Sequence, residues 1–184
     1  MPPKIKTDRD SIISAAFEVA KNEGIIAITA QSVSAVLNTS VAPIFREFQT
    51  VEELRAATAE KIIGFHTQYI QNHSSTNSEI LAYGIAYIHF AKEYPYLFET
   101  IMQPGQPGHT TMNEKMSSSL AFVVNSVCSQ CALSFEQAKE VFFNIWIYTH
   151  GLASLVYKGS LTLTEDEEKK MLINALYDFS KKYN

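Results

Sequence analysis

Residues 29–54 carry the side chains whose types and spacing are best suited to binding another molecule. Thr29 and Ser40 stand where helices should begin. Their hydroxyls and the adjacent helix N-terminal amides could therefore hold phosphates, assisted by the guanidinium of Arg46. The segment indicates two short helices joined by a tight turn at Asn38, with a third helix starting behind a cap at Thr50. This pattern predicts a helix-turn-helix, whose second helix enters the DNA major groove.

The expected DNA surface is mostly apolar. The candidates for base readout are Gln31, Val41, Ala42 and Pro43. Three of these side chains can touch thymine methyl groups but cannot form bidentate hydrogen bonds, so thymine contacts and DNA shape should provide the specificity. Lys4 and Lys6 lie in an N-terminal arm that could reach the neighbouring minor groove.

A second set of candidate binding residues is aromatic and follows residue 50. It comprises Phe65, Tyr69, Tyr83, Tyr87, Phe90, Tyr94, Phe98, Met102, Met116, Phe122, Trp146 and His150. Such residues suit a cavity for a small apolar or aromatic effector, in which tyrosine hydroxyls and a histidine supply the polar groups. Each one taken alone is equally compatible with an ordinary core position. We expect the effector to wedge between the fourth helix and the fifth to eighth.

The two cysteines, Cys128 and Cys131, form a single CxxC pair. This pair supplies half the ligands of a structural zinc site, and no second Cys/His pair lies nearby. It also falls toward the end of a predicted helix, where the helix dipole disfavours a thiolate. Packing is the favoured interpretation, and redox or metal sensing is the alternative. No metal or other cofactor is predicted.

Enzymatic motifs are missing from the sequence. It has no Glu-x-x-His pair, GxSxG, HExxH or phosphate-binding loop. His150 has Ser154 one turn later but no carboxylate in sequence reach to orient it. We therefore expect a protein that is not an enzyme.

Apolar residues recur at spacings of three and four, and strand signals are nearly absent. The predicted fold is all-α, with a three-helix N-terminal bundle at residues 1–49 and about six further helices at 50–184. Val33, Val36 and Leu37 should be buried in the second helix. Ile44, Phe45 and Phe48 should form the inward side of the third.

The net charge of −4 is weak evidence against a nucleic-acid partner, and acids and bases balance within residues 1–50. The N-terminus has no apolar stretch, and the longest apolar run, 80–91, is too short to cross a bilayer. These features predict a soluble cytoplasmic protein without a membrane partner.

The last two helices are expected to pair two subunits, since a single short recognition helix binds too weakly to specify a site. The eighth helix is apolar on two sides and so needs two burial partners. The predicted dimer interface comprises Val141, Ile145, Thr149, Leu152, Val156, Leu172, Leu176 and Phe179.

The order of these elements resembles the tetracycline-repressor (TetR) family of transcriptional regulators. The similarity is most specific over residues 9–54. The family-spaced positions are Arg9, Ile12, Ile13, Ala15, Ala16, Phe17, Gly24, Thr29, Val33, Ser40, Phe45, Phe48 and Leu54. Trp146-x-x-x-His150-Gly151, with Tyr94–Phe98 upstream, further resembles the group with a Trp-His-Gly signature.

The resemblance implies a homodimeric repressor with an operator and a small-molecule effector, and it places Phe45 among the DNA-binding residues, at the position of the family's phosphate-contacting tyrosine. The chain also departs from the family pattern. Asn38 replaces the turn glycine, and Phe45 lacks the hydroxyl of the usual tyrosine. Glu47 and Val51 replace a frequent histidine and lysine. A helical ligand-binding protein with weak or lost DNA affinity is therefore the alternative.

Overall fold

The computed structural model describes residues 7–73, 79–102 and 121–183. In this part of the chain all regular structure is helical and no strand occurs, which confirms the all-α prediction. The helices are α1 (Arg9–Glu23), α2 (Ala30–Val36), α3 (Ala42–Glu47), α4 (Val51–His73), α5 (Glu79–Glu93), α6 (Pro95–Met102), α7 (Ala121–Cys131), α8 (Phe135–Tyr157) and α9 (Glu165–Lys181). A short 3₁₀-helix, Ile25–Ala27, follows α1.

The described residues form two compact units. The first contains residues 7–66 and 94–102, and the second contains 67–73, 79–93 and 121–183. These units are defined by contacts within the chain. The expected division into a DNA-binding part, 1–49, and a ligand-binding part, 50–184, is a division by function and stays a prediction. None of the described helices is both long and apolar enough to cross a membrane. The expected loop at 103–110 lies outside the described residues.

The first unit is built on local sequence signals that the structure confirms. Asp8 accepts a hydrogen bond from the Ser11 N–H at 3.0 Å and so caps α1. Gly24 ends that helix with φ of +89°, a backbone conformation that favours glycine. Asn38 adopts φ of +50° in the turn after α2, as its tolerance of left-handed backbone predicts.

The start of α3 differs from the prediction. Ser40 does not cap it. Val41 occupies the N-cap position in helical backbone geometry without a side-chain hydrogen bond, and Pro43 is the second helical residue. Proline is tolerated there because the first N–H groups of a helix have no intrahelical partner. Ser40 is exposed and remains available to a ligand.

Two burial predictions in this unit are wrong. Val36 is 52% exposed and Phe45 is 51% exposed. Phe45 follows the buried Ile44, so its side chain projects about 100° further around the helix. Ile44 and Phe48, four residues apart, share the inward side instead. Val36 is the last residue of α2, where the seven-residue helix has only a narrow buried side around Val33.

The second unit surrounds α5, which packs against α7, α8 and α9. Its core cluster includes Val123, Val127, Val141, Phe142 and Ile145. Helix α5 is buried on several sides, as its continuous apolar sequence predicts. A Cβ at Gly84 would lie 3.0 Å from Leu172 Cδ1, so this glycine permits the close approach of α9.

A fully buried carboxylate also joins α5 to α9. Glu168 forms an ion pair with Lys92, and one of its carboxylate oxygens lies 3.3 Å from His89 Nε2, although neither contact has the directional geometry of a hydrogen bond. Lys92 additionally donates to the Leu163 carbonyl at 3.4 Å, just before α9 begins. The Lys92 ammonium offsets part of the cost of desolvating Glu168.

The predicted dimer surface requires correction. Five of its residues are buried within the chain's own core: Val141, Ile145, Thr149, Leu152 and Leu172. The other three, Val156, Leu176 and Phe179, are half-buried. When a helix is apolar on both sides, its sequence does not show which side packs against the core of its own chain. The side left exposed on α8 and α9 carries Phe143, Ile147, Leu155, Ile173 and Tyr177.

Candidate nucleic-acid interface and sensing core

The helix-turn-helix exposes five of the eight predicted DNA-contacting residues that the structure describes. Gln31, Ser40, Ala42, Phe45 and Arg46 are exposed. Thr29, Val41 and Pro43 are half-buried. Lys4 and Lys6 lie outside the described residues. The structure thus brings the candidates from α2, the turn and α3 into one module, in which α1 packs against α2 and α2 against α3.

Thr29 is committed to the start of α2. Its Oγ1 accepts a hydrogen bond from the Ser32 N–H at 3.0 Å and donates to Ser32 Oγ at 3.1 Å. The Thr29 N–H in turn donates to Ser32 Oγ at 2.9 Å, which completes a reciprocal cap. This cap fixes the beginning of α2, the helix that precedes the turn and α3.

Arg46 is the most exposed of the three arginines in the first unit. Its side chain is 66% exposed, against 46% for Arg9 and 20% for Arg55. It donates a 3.4 Å hydrogen bond to the Thr7 carbonyl and lies 3.6 Å from a Glu47 carboxylate oxygen. An exposed ion pair of this kind holds the side chain only weakly. Arg46 can therefore turn toward a phosphate.

The other two arginines bind their own unit, a role that sequence reasoning missed. Arg55 donates from Nη2 to the carbonyls of Ile26 and Ile28, both at 2.9 Å, and so holds the segment that leads into α2. Arg9 donates to the Glu47 carbonyl at 3.0 Å. These contacts join residues 27 to 38 positions apart, for which the sequence offers no local signal.

The second unit contains a polar pair within an aromatic cluster. The Tyr87 hydroxyl and His150 Nδ1 share a hydrogen bond at 3.0 Å. The Trp146 ring stacks on the His150 ring with centroids 5.3 Å apart and planes 2° from parallel. Burial raises the pKa of Tyr83, and burial together with the Coulombic effect of Tyr83 raises the pKa of Tyr87. Both phenols therefore stay neutral at physiological pH and keep an O–H group that can donate a hydrogen bond.

The space beside this cluster is narrow. The cleft between α5 and α8 has a free volume of about 10 Å³ and is lined by Ile80, Tyr83, Gly84, Tyr87, Phe142, Ile145, Trp146 and Thr149. That volume is close to the minimum for one water molecule. An effector at this place would have to separate the side chains of the two helices.

The remaining predicted effector residues fall into both units. Phe65, Tyr94, Phe98 and Met102 belong to the first, where Phe65 forms edge contacts with Phe17 and Tyr94 at centroid distances of 5.3 and 5.1 Å. Tyr69 and Phe90 belong to the second and form an edge contact with centroids 5.3 Å apart. Met116 lies outside the described residues, as does the side chain of Phe122. One cavity shared by all twelve residues stays a prediction.

Cys128 and Cys131 are half-buried free thiols in the last turn of α7. Both pack against the core cluster of the second unit. Within the described ranges, no group of three or more His, Cys, Asp or Glu side chains is arranged to hold a metal ion. Packing remains the interpretation that these contacts support.

Comparison with known proteins agrees with this architecture. Residues 80–176 match the protein family described as "Tetracyclin repressor-like, C-terminal domain". The fold is similar to that of the solved structure titled "Flavonoid-responsive Regulator FrrA", with a TM-score of 0.51 and 14% sequence identity over 94% of this chain and 95% of that chain. None of the curated proteins compared matches the sequence. At this identity, the structural likeness shows a shared fold.

Proposed function

The chain belongs to the tetracycline-repressor family of transcriptional regulators, and we propose that it is a homodimeric repressor whose operator binding is controlled by a small aromatic effector. The observation that carries the proposal is the exposed helix-turn-helix in the same chain as the family-type C-terminal domain. In it, α2 and α3 are joined by a turn at the left-handed Asn38. This geometry leaves one side of α3 free for the major groove.

DNA contacts divide into positioning and readout. Arg46 and the amides at the starts of α2 and α3 hold phosphates. Val41, Ala42, Pro43 and Phe45 offer apolar surface to thymine methyl groups and deoxyribose. Few cations face the duplex, so specificity depends on shape and apolar fit more than on Arg–guanine pairs.

Dimerisation uses the exposed apolar surface of the last two helices. Phe143, Ile147, Gly151 and Leu155 recur every four residues along α8, and Ile173 and Tyr177 do so along α9. A Cβ at Gly151 would have no atom within 4 Å, so the surface is open there and a partner helix can approach closely. Exposed apolar patches of this kind mark association sites.

The effector site that we propose is the aromatic cluster of the second unit. Tyr83, Tyr87, Trp146 and His150 offer flat apolar surface with a few hydrogen-bonding groups, which suits an aromatic ligand with a hydroxyl or carbonyl group. The free volume at this place is too small for an aromatic ligand. The ligand therefore binds a more open conformation and shifts the population toward it. To empty an operator, the ligand must favour the non-binding state by several kcal/mol.

A ligand-responsive protein with weak or lost DNA affinity is the second candidate. Phe45 lacks a phosphate-binding hydroxyl, Glu47 places a carboxylate beside Arg46, and Val51 supplies no cation at the start of α4. Each of these features reduces electrostatic attraction to DNA. The two candidate functions predict different operator affinities, but both predict that the protein binds an effector.

Selection of genomic fragments by the purified full-length protein tests the proposal. Enrichment of a palindromic site whose half-sites lie one helical turn or more apart supports a dimeric DNA-binding regulator. Absence of enrichment at low salt favours the second candidate. A thermal-shift screen of aromatic compounds, flavonoids among them, then identifies effectors, because ligands of the native state raise Tm. An effector that raises Tm but leaves operator affinity unchanged contradicts the regulatory part of the proposal.

A further inference from the structure

We propose that Arg9 is a positioning residue that fixes the recognition helix α3 for DNA binding and does not contact a phosphate itself. This inference rests on the proposed DNA-binding function. Its guanidinium makes three contacts. Nη1 donates to the Glu47 carbonyl at 3.0 Å, Cζ lies 4.2 Å from the centroid of the Phe48 ring, and Nη1 lies 3.8 Å from a Glu53 carboxylate oxygen.

Two of these contacts, those with Glu47 and Phe48, lie at the end of α3. Glu47 is its last residue, so its carbonyl has no partner within the helix. The guanidinium satisfies this carbonyl and places positive charge at the negative end of the helix dipole. Phe48, 1% exposed, is the residue through which the chain leaves the helix, and its N–H donates to the Ile44 carbonyl at 2.9 Å. Arg9 thus holds both the end of the helix and the buried ring behind it.

The recognition helix needs such external support. Helix α3 has six residues and no side-chain N-cap. A helix this short is unstable alone, so its orientation depends on tertiary contacts. Arg9 is the first residue of α1, and its side chain therefore connects α3 to α1. A small rotation of α3 would misplace Val41, Ala42 and Pro43 against the base edges.

Arginine is required at this position by geometry as well as by charge. A planar guanidinium can donate to a carbonyl and lie over a ring at the same time, whereas an ammonium group is a compact point charge. The ion pair with Glu53 contributes little, because both side chains are nearly half exposed. The contacts with Glu47 and Phe48 therefore carry the proposed role.

The decisive experiment measures binding of full-length Arg9→Lys and Arg9→Met variants to the selected operator and to a scrambled duplex of equal length, over a range of salt concentrations. We expect Arg9→Lys to weaken operator binding about tenfold, comparable to one mismatched base pair. Binding to the scrambled duplex and both salt slopes should not change. Glu53→Gln is the matched control and should keep the wild-type preference for the operator.

Two results would overturn the inference. If Arg9→Met makes the salt slope shallower by about one while Arg9→Lys behaves as wild type, Arg9 is a phosphate contact. If Arg9→Lys weakens binding to both duplexes equally, its effect is a general loss of folded protein. Neither result would affect the proposal that the protein binds an operator.

Amide hydrogen exchange in the free protein tests the same inference without DNA. The Phe48 N–H should exchange about tenfold faster in Arg9→Lys than in wild type or Glu53→Gln, because local opening of α3 becomes easier. An unchanged rate contradicts the positioning role. If the wild-type protein binds no DNA, the proposed function fails, and this exchange rate alone decides whether Arg9 holds α3.

Discussion

The basic residues of the first unit divide by what they bind. Arg9 and Arg55 bind carbonyls, Lys61 donates to the Ser14 hydroxyl at 2.8 Å, and Lys21 lies 5.7 Å from the centroid of the Tyr94 ring. A net-charge count treats these residues as equal contributors to DNA attraction, whereas the structure gives several of them internal partners. Binding should therefore depend on salt less steeply than the number of lysines and arginines implies.

Arg46 should account for one unit of that salt dependence. We expect Arg46→Ala to weaken operator binding and to make the slope of log K against log salt shallower by about 0.9, because one phosphate contact is lost. Fluorescence anisotropy with the operator at several salt concentrations gives the slope. Lys139→Ala, which removes an exposed cation from the second unit, should leave the slope unchanged. An identical slope in Arg46→Ala would remove this residue from the phosphate-contacting set.

Tyr83, which is partly buried, and Tyr87, which is buried, should make the stability of the protein depend on pH in the alkaline range. The pKa values of Tyr83 and Tyr87 are raised in the folded state by burial, whereas unfolded tyrosine titrates near 10. Above about pH 10 the unfolded state therefore binds fewer protons than the folded state, and the free energy of unfolding falls as pH rises. Below that pH these two groups cause no pH dependence. Denaturant titrations across the alkaline range measure the effect.

A pair of matched variants tests whether Tyr87 causes this loss of stability at alkaline pH. Tyr87→Phe removes one raised pKa and should make the decline shallower, although it also removes the hydrogen bond to His150. Tyr177→Phe, at a tyrosine that is 62% exposed, should leave the decline unchanged. Equal pH profiles for the wild-type protein and Tyr87→Phe would show that burial of Tyr87 has no such effect.

At the scale of elements, the helix boundaries follow local signals in the sequence. Thr29, Ser134 and Thr164 each begin a helix with a reciprocal cap, and each cap involves only residues three positions apart. Gly24 and Asn38 adopt the backbone geometry that their side chains permit. Predictions that depend on a few consecutive residues were confirmed because the interactions that decide them are equally local.

Predictions that depended on tertiary contacts were less successful. Ser40 had the right residue type for a cap, but the chain enters α3 through Val41. Phe45 was expected on the inward side, although only Ile44 and Phe48 face the core. The sequence of α8 could not show which of its two apolar sides is internal. These outcomes depend on the position of α1 relative to α3, and of α5 relative to α8, which no short sequence pattern specifies.

The turn between α2 and α3 offers a test at this scale. Asn38→Ala should lower the free energy of unfolding by about 1 kcal/mol, because a Cβ without a compensating polar group disfavours left-handed backbone. Asn38→Gly is the matched variant and should be close to neutral, since glycine adopts this backbone at no steric cost but gains entropy when unfolded. Urea denaturation measures both. Equal stability of the two variants would contradict a turn constraint at Asn38.

At the scale of the whole molecule, selection of one DNA site requires more than one helix-turn-helix. A single six-residue recognition helix reads too few bases to select one site in a genome, whereas two helices held at a fixed spacing read two half-sites. The exposed apolar sides of α8 and α9 lie in the second unit, away in sequence from the recognition helix. Pairing there would use surface of the second unit and none of the described helix-turn-helix residues, which belong to the first unit. Effector binding between α5 and α8 would act next to the pairing surface.

Ile147 is the residue at which this arrangement is best tested, because its side chain is 49% exposed and lies between Phe143 and Gly151 along the exposed side of α8. A carboxylate there would be buried without a partner in a dimer but hydrated in a monomer. Ile147→Glu should therefore sediment as a folded monomer and lose operator affinity by about a hundredfold or more, since the linked second half-site is lost. Ile26→Glu, at a 64% exposed residue of the first unit, should stay dimeric. If both variants remain dimeric, the subunits pair through another surface. That surface cannot be the side of α8 that carries Val141, Ile145 and Leu152, because the chain's own core already covers this side.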